Sequence, residues 1–302
     1  MFKLLTFEIS GSCNAKCPWC HTGALARASQ TKRFLEPERF ARVLDHLLKL
    51  GAIGPDSLIC LYNWGEPTLH PQFNEILAIL NRRDLHFLLS SNGSLPIQPE
   101  PGSMVNLEQF LISMPGFSQA SYDKIHGFQF EKILKNIDDA IVKLAMAGFK
   151  RRVQIRFHTY QFNIHELKQA SAYFAGRPVI FEPTMAYIAN FNQALAYLKN
   201  ELDNPTLTRL SKDLLLFYVD GLVASTPADY HCPEFDYLTL DEECNLLTCC
   251  VLPRGHEDYT FGSVFDLTLE EINARKLAQK VCRDCLQTGL AHWVHSSVPL
   301  QL

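Results

Sequence analysis

The sequence predicts an α/β protein, an open partial (βα)6 barrel with a small C-terminal β-hairpin and helix region. Three observations predict it. Over the first 185 residues, short apolar runs alternate about six times with stretches of helical periodicity, the rhythm of parallel strands joined by right-handed crossovers. Six such units are too few to close an eight-stranded barrel. After residue 190 the rhythm breaks and a cysteine-rich tail follows.

Residues 2–10 (FKLLTFEIS) read as the first strand. Residues 37–50 follow as a helix, with Phe40, Val43, Leu44, Leu47 and Leu48 at helical spacing and Gly51 as its stop. Residues 58–62 form a short apolar strand. A helix opens near Pro71, with Phe73, Ile76, Leu77 and Leu80 on one face. Residues 87–91 are the next strand and run into the turn pair Asn92-Gly93. Residues 110–113 are another strand. Residues 130–148 are a long helix carrying Phe130, Ile133, Leu134, Ile137, Ile141 and Leu144 in register. Across 153–158, Val153, Ile155 and Phe157 alternate with Gln154, Arg156 and His158, which places the polar set toward the barrel lumen. A helix over about 165–175 leads to a strand at 179–182, and a further helical stretch covers about 206–218. The expected regions are 1–205 and 206–302, with a soft boundary between 190 and 228.

Hydrophobic residues make up 47% of the 302 and the formal charge is -4. That composition supports a sizeable core and excludes a disordered chain. It also lacks the basic footprint of a nucleic-acid binder. The pairs Lys32-Arg33, Arg82-Arg83 and Arg151-Arg152 are scattered and read as solvated surface. No apolar run reaches the ~18 residues of a membrane span, and the N-terminus lacks a signal-peptide core. The expectation is a cytoplasmic protein with reduced thiols, bound to neither nucleic acid nor membrane. Its ten cysteines then call for metal or cluster ligation.

Cys13, Cys17 and Cys20 form a C-x3-C-x2-C loop directly after the first strand. Cubane iron–sulfur clusters normally take four thiolates. Three leave one iron open to a substrate or cofactor, as catalytic zinc sites keep an open position. The loop also lies at a strand's C-terminal end, where barrel active sites form. A structural zinc knuckle, with His21 as fourth ligand, is the competing reading on spacing alone.

This spacing, with the aromatic Trp19 before the last cysteine, resembles the signature of the radical S-adenosylmethionine (AdoMet) superfamily. The similarity continues through Tyr62-Asn63-Trp64-Gly65-Glu66-Pro67, Ser90-Ser91-Asn92-Gly93 and Ile112-Ser113-Met114-Pro115-Gly116. It extends from Phe117 through Tyr122 to Phe130, Asn136-Ile137, Gln161-Phe162-Asn163 and Glu166, so it covers nearly the whole chain. Relatives usually carry Asp at Pro115 and often Arg at His126.

The resemblance implies a partial barrel of the radical AdoMet type and a 4Fe–4S cluster whose open iron is chelated by AdoMet. One-electron cleavage then yields a 5′-deoxyadenosyl radical that removes a substrate hydrogen, chemistry that belongs to the cofactor while the protein positions and shields it. By the same resemblance, Gly65 and Glu66 bind the methionine amine, the carboxylate pairing with an ammonium. Ser91, Asn92 and Ser113 are candidates for the ribose and carboxylate. Arg156 is a further candidate, or a partner of an acid. Trp19 packs near the adenine or in the core.

Cys232, Cys244, Cys249, Cys250, Cys282 and Cys285 crowd the tail. Four thiolates from separated segments suit a closed cluster or a zinc site. Together with Phe261-Gly262-Ser263-Val264 and Leu269-Glu270-Glu271-Ile272, they are similar to the auxiliary-cluster region called SPASM or, in its shorter form, twitch. That resemblance implies one auxiliary 4Fe–4S cluster on Cys232, Cys249, Cys282 and Cys285. Relatives usually have Gly at Cys244, so the parts of Cys244, Cys249 and Cys250 stay open. Cys244 or Cys250 is a candidate hydrogen-atom donor, or a buried inert thiol. Cys60 reads as core. His21, His70, His126, His158, His292 and His295 include candidate bases, each more simply structural.

The function expected is hydrogen abstraction that oxidises, crosslinks or epimerises a natural-product precursor. A ribosomally made peptide ranks slightly ahead of a sugar or aminocyclitol. The first motif begins at residue 13, which leaves no room before it for a leader-peptide-binding domain. The expected partner is a low-potential electron donor such as flavodoxin or ferredoxin. A non-catalytic zinc scaffold is the reading from another class; it leaves the Gly-Glu-Pro segment unexplained.

Overall fold

A computed structural model describes residues 1–23, 30–188, 190–252 and 256–296. Strand β1 (Leu4–Phe7) is followed by helix α1 (Pro37–Lys49), β2 (Leu58–Cys60), α2 (Phe73–Asn81), β3 (Phe87–Ser91) and β4 (Leu107–Met114). Next come α3 (Gln119–Lys124), α4 (Phe130–Met146), β5 (Val153–Thr159), α5 (Leu167–Phe174) and β6 (Val179–Met185). The six strands are parallel neighbours in chain order. The α/β class and the six-strand rhythm are therefore as expected.

Local causes are visible in each unit. Helix α1 opens with Pro37, whose fixed φ suits the first turn. It buries Phe40, Val43, Leu44 and Leu47, each contributing roughly 1.5–3 kcal/mol. Gly51 ends it at φ +66°, where a side chain would be strained. Helix α4 buries Ile133, Ile137, Ala140 and Leu144 against the same core. The β3–β4 crossover holds no helix. Its residues 92–106 include Pro96, Pro99 and Pro101, which lack the N–H a helix interior needs. Strand β1 is shorter than its apolar run because the chain turns toward the site after Phe7, and Ser10 pairs instead with Phe34.

Strand β5 alternates as expected. Val153, Ile155, Phe157 and Thr159 are buried on one face. On the other, Gln154 links Gln109 to Glu182, and Arg156 pairs with Glu182 at 3.1 Å.

Beyond β6 lie α6 (Phe191–Leu198), α7 (Asn204–Asp213) and α8 (Leu216–Ala224). The stretch read as one helix over 206–218 is thus two, broken where Leu214 turns extended at ψ 148°. Then follow β7 (Tyr237–Leu240), β8 (Asn245–Leu247), β9 (Thr260–Ser263), α9 (Leu269–Ala278), α10 (Lys280–Gln287) and α11 (Leu290–His295). Strand β7 pairs in parallel with β1, from Leu4 opposite Tyr237 to Phe7 opposite Leu240. Strands β8 and β9 add antiparallel pairs. One nine-stranded sheet, β6-β5-β4-β3-β2-β1-β7-β8-β9, therefore carries both the barrel strands and the C-terminal hairpin. Residues 205 and 206, on either side of the expected boundary, lie inside α7.

Two apolar clusters result. The larger fills the space between the sheet and helices α1, α2, α4 and α5, and it includes Leu238, Leu240 and Leu246 from the hairpin. The second joins α6, α7, α8 and α11 beneath the cysteine loops.

Candidate functional site

The loop after β1 is held to its neighbours by hydrogen bonds made only through close backbone approach. Glu8 accepts from the amides of Trp64 (2.6 Å) and Gly65 (3.1 Å). The Glu66 amide donates to the Ser12 carbonyl at 2.8 Å. A Cβ on Gly65 would lie 1.8 Å from the Ser10 carbonyl oxygen, so only glycine lets the two loops meet. The Cys13 amide donates to Gln30 at 3.0 Å and the Lys16 amide to the His126 carbonyl at 3.1 Å.

These contacts gather Cys13, Cys17 and Cys20 on one cavity of about 220 Å³. Glu66, Ser91, Asn92 and Ser113 line the same cavity from the ends of β2, β3 and β4. Glu66 is 2% exposed. It accepts from the Asn92 amide (2.7 Å) through one oxygen, and from the Thr68 amide (3.2 Å) and hydroxyl (2.6 Å) through the other. Burial raises its carboxyl above the ordinary range while these bonds pull it back. Asn92 donates to Asn14 at 2.9 Å and more weakly to the Cys13 sulfur at 3.8 Å.

The rest of the wall is aromatic and imidazole: Tyr62, Trp64, His126, His158, Tyr160 and Tyr187. Loss of water pushes His126 down to about 3 and His158 to about 4, so both are neutral at ordinary pH. Tyr160 and Tyr187 follow the ends of β5 and β6. The strand-end rule that located the cysteine loop is the signal by which they were findable from sequence.

Two predicted residues stand elsewhere. Arg156 does not line the cavity; its guanidinium is committed to Glu182. Trp19 packs with the second apolar cluster, under Arg209 at 5.6 Å.

The C-terminal cysteines divide three ways. Cys232, Cys249, Cys282 and Cys285 line one cleft of about 30 Å³, far tighter than the first cavity. Cys232 precedes the short turn Pro233–Asp236, Cys249 follows β8, and Cys282 and Cys285 share a face of α10. Cys250 turns aside, its sulfur 3.1 Å from the Glu234 carboxylate. It lines neither the first cavity nor the cleft. The side-chain ligand atoms of Glu234, Cys249 and Cys250 lie within 4.8 Å of one another.

Cys244, the other candidate hydrogen-atom donor, lines neither the first cavity nor the cleft. It sits at φ +65° in the β7–β8 turn, is fully buried and feels Arg39 and Arg42 of α1. That left-handed backbone is where glycine fits best. Cys60 is core, as expected.

A family model for the radical SAM superfamily matches residues 7–169. The chain belongs to the radical SAM superfamily. Among curated relatives, the antilisterial bacteriocin subtilosin biosynthesis protein AlbA of Bacillus subtilis is 25% identical over 174 residues, covering 54% of this chain and 35% of that protein. The AdoMet-dependent heme synthase of Nitratidesulfovibrio vulgaris is 27% identical over 173 residues, 55% of this chain and 43% of that protein. The matched stretch thus spans less than half the length of either relative. Among solved structures, anSMEcpe with bound AdoMet superposes with a TM-score of 0.60 at 15% identity, covering 98% of this chain and 93% of that one. Streptococcus suis SuiB bound to precursor peptide SuiA gives 0.60 at 14% identity, covering 90% and 64%. These two show a shared fold.

Membership in the radical SAM superfamily implies a 4Fe–4S cluster and AdoMet. The residues fit both. Burial raises Cys13 to about 12 and lifts Cys17 well above the ordinary thiol range, and the thiolates repel one another. Three such groups ionise together only around a cation. Beside them, a buried carboxylate borders a cavity with room for a ligand. Among the described residues, no helix is long and apolar enough to cross a membrane.

Proposed function

We propose that this chain is a two-cluster radical SAM enzyme that abstracts hydrogen from a natural-product precursor, with a ribosomally made peptide as the favoured substrate. The observation that carries the proposal is the convergence of Cys13, Cys17, Cys20, Glu66, Ser91, Asn92 and Ser113 on one cavity from four strand ends. Cys13, Cys17 and Cys20 hold three irons and leave the fourth for AdoMet. Glu66 takes the amine, and Ser91, Asn92 and Ser113 orient the ribose and carboxylate. When bound, the cluster and AdoMet supply a 5′-deoxyadenosyl radical on one-electron reduction by a low-potential donor such as flavodoxin or ferredoxin. Buried Tyr160 in the wall helps keep water from that chemistry. His126 and His158 add neutral imidazoles to that wall, and burial disfavours protonating either.

Cys232, Cys249, Cys282 and Cys285 are proposed to hold the auxiliary 4Fe–4S cluster. The cleft they share supports this, since four thiolates complete a cubane without an open iron. The peptide reading is supported by the likeness to AlbA, a subtilosin biosynthesis protein, and to SuiB, which binds the precursor peptide SuiA. A second reading, inversion of a sugar, aminocyclitol or peptide carbon, is supported by Cys250. Its thiol donates to Glu234 at 3.1 Å; given up to a substrate radical as a hydrogen atom, it would leave a thiyl radical that one electron from the low-potential donor and one proton relayed by Glu234 would return to the thiol.

The test is anaerobic reconstitution with iron and sulfide counts and AdoMet cleavage under dithionite. About eight irons and 5′-deoxyadenosine are expected from two cubanes. About four irons with cleavage would remove the auxiliary cluster, and no cleavage would overturn the proposal. Incorporation of solvent deuterium into recovered substrate, lost in Cys250→Ala, would select inversion.

A further inference from the structure

The cleft between Cys232, Cys249, Cys282 and Cys285 is also lined by a cation, Lys276 of α9. Lys276 is 1% exposed and among the largest fully buried side chains of the protein. Lysine is almost never buried to this degree without a partner. Taking an ammonium out of water costs several kcal/mol, and opposite charge is what repays it.

The hydrogen bonds of Lys276 do not supply that charge. Its Nζ donates to the main-chain carbonyls of Glu234, at 2.7 Å, and Tyr237. Both acceptors are neutral; they take two of the three N–H donors and leave the charge uncompensated. The groups near it that take negative charge are the Glu234 carboxylate and the sulfurs of Cys249, Cys282 and Cys250. The Glu234 carboxylate, which also accepts from the amide and the thiol of Cys250, is the first of these and offsets part of the charge. The sulfurs of Cys249 and Cys282 share the cleft with the lysine. Lys276 thus reaches from α9 to the turn after Cys232 and the start of β7, which makes it part of the wall and of the electrostatics of the cleft.

We propose that Lys276 is the built-in counter-charge of the four-cysteine site, helping to retain an anionic iron–sulfur group there and favouring its reduced form. This rests on the proposed reading of those cysteines as cluster ligands. A cubane held by four thiolates is anionic and gains one further negative charge on reduction. A fixed positive charge in the same low-dielectric cleft stabilises the reduced state more than the oxidised one. Lys276 is a positioning residue in this scheme; it tunes the group and touches no substrate.

The experiment uses the full chain with Cys13, Cys17 and Cys20 changed to Ala, so that only the second site is read. Lys276→Gln keeps an amide donor and removes the charge. Lys276→Arg keeps the charge. Each protein is reconstituted anaerobically, its iron and zinc are counted, and the cluster is titrated potentiometrically by electron paramagnetic resonance. At the potential that half-reduces the parent cluster, the Gln variant is expected to have a reduced-to-oxidised ratio at least tenfold lower, a shift of about 59 mV for one electron. The Arg variant is expected to stay near the parent. Iron lost in the Gln variant and kept in the Arg variant would also support the proposal. An unchanged potential in the Gln variant, or iron lost equally in both, would overturn it and leave Lys276 a packing strut. Zinc or no metal in the background with Lys276 intact would instead overturn the reading of the four cysteines.

Discussion

Glu66 shows how a single residue meets two demands. It caps the short turn Pro67–Leu69 through its bond to Thr68 and anchors the Asn92 amide, yet it remains beside the cavity. Glu66→Gln is expected to keep the iron of the first site and weaken AdoMet binding about tenfold to a hundredfold, the loss of one charge-assisted contact of ~1.5–3 kcal/mol. Anaerobic equilibrium dialysis measures it; unchanged affinity would place the amine elsewhere. His126 and His158 carry a second prediction at this scale. Their folded values, about 3 and about 4, lie below the ordinary 6.5. As pH falls below about 6.5 the unfolded chain takes protons that the folded chain refuses, so stability falls with pH. Each group contributes up to about 1.4 kcal/mol per pH unit in that window. Urea unfolding of the metal-free protein at pH 7 and pH 5 should show the loss, and a His126→Gln, His158→Gln double variant should lessen it. An equal slope in the variant would mean that both rings reach water.

At the scale of elements, α10 makes a separable test of the second cysteine group. Cys282 and Cys285 line the cleft, and alanine is the best helix former. Replacing both with Ala should therefore remove about four irons, one cubane, while far-ultraviolet circular dichroism stays unchanged. Iron retained in full would show that the cleft is not a cluster site. Elements with a clear period were legible in advance, α1, α4 and β5 among them, because their burial follows their spacing. The crossover at 92–106 carries three prolines, a signal the six-unit reading left unused. Roles that depend on which direction a side chain leaves its strand were less legible. Arg156 was read as facing the lumen, and it does, but only the structure shows Glu182 across from it. Tyr160 and Tyr187 went unread because a tyrosine past a strand end resembles any other until the six ends are assembled.

The molecule as a whole is organised around β1. The spacing of cysteines identified two groups, but no period in the sequence says that β7 pairs with β1. That pairing joins residues more than two hundred apart and is fixed by burial of Leu238, Leu240 and Leu246 in the common core. The C-terminal region is therefore expected to be indispensable to the fold of the rest. A chain ending at Thr226 would expose the β1 edge and the apolar surface under the hairpin, a template for aggregation. It should be recovered mainly in the insoluble fraction, or elute as aggregate on gel filtration. A soluble monomer with a cooperative unfolding transition would show that the two regions fold separately.

The four pairings from Leu4–Tyr237 to Phe7–Leu240 also act as a ruler. The first thiols follow β1, and the second set is carried by segments on either side of the β7–β8 hairpin and by α10. A slip of one residue would turn every side chain of β7 to the opposite face, and a slip of two would move the hairpin by about 7 Å. The spacing of the two sulfur nests is therefore written in backbone register, where no linker can stretch it.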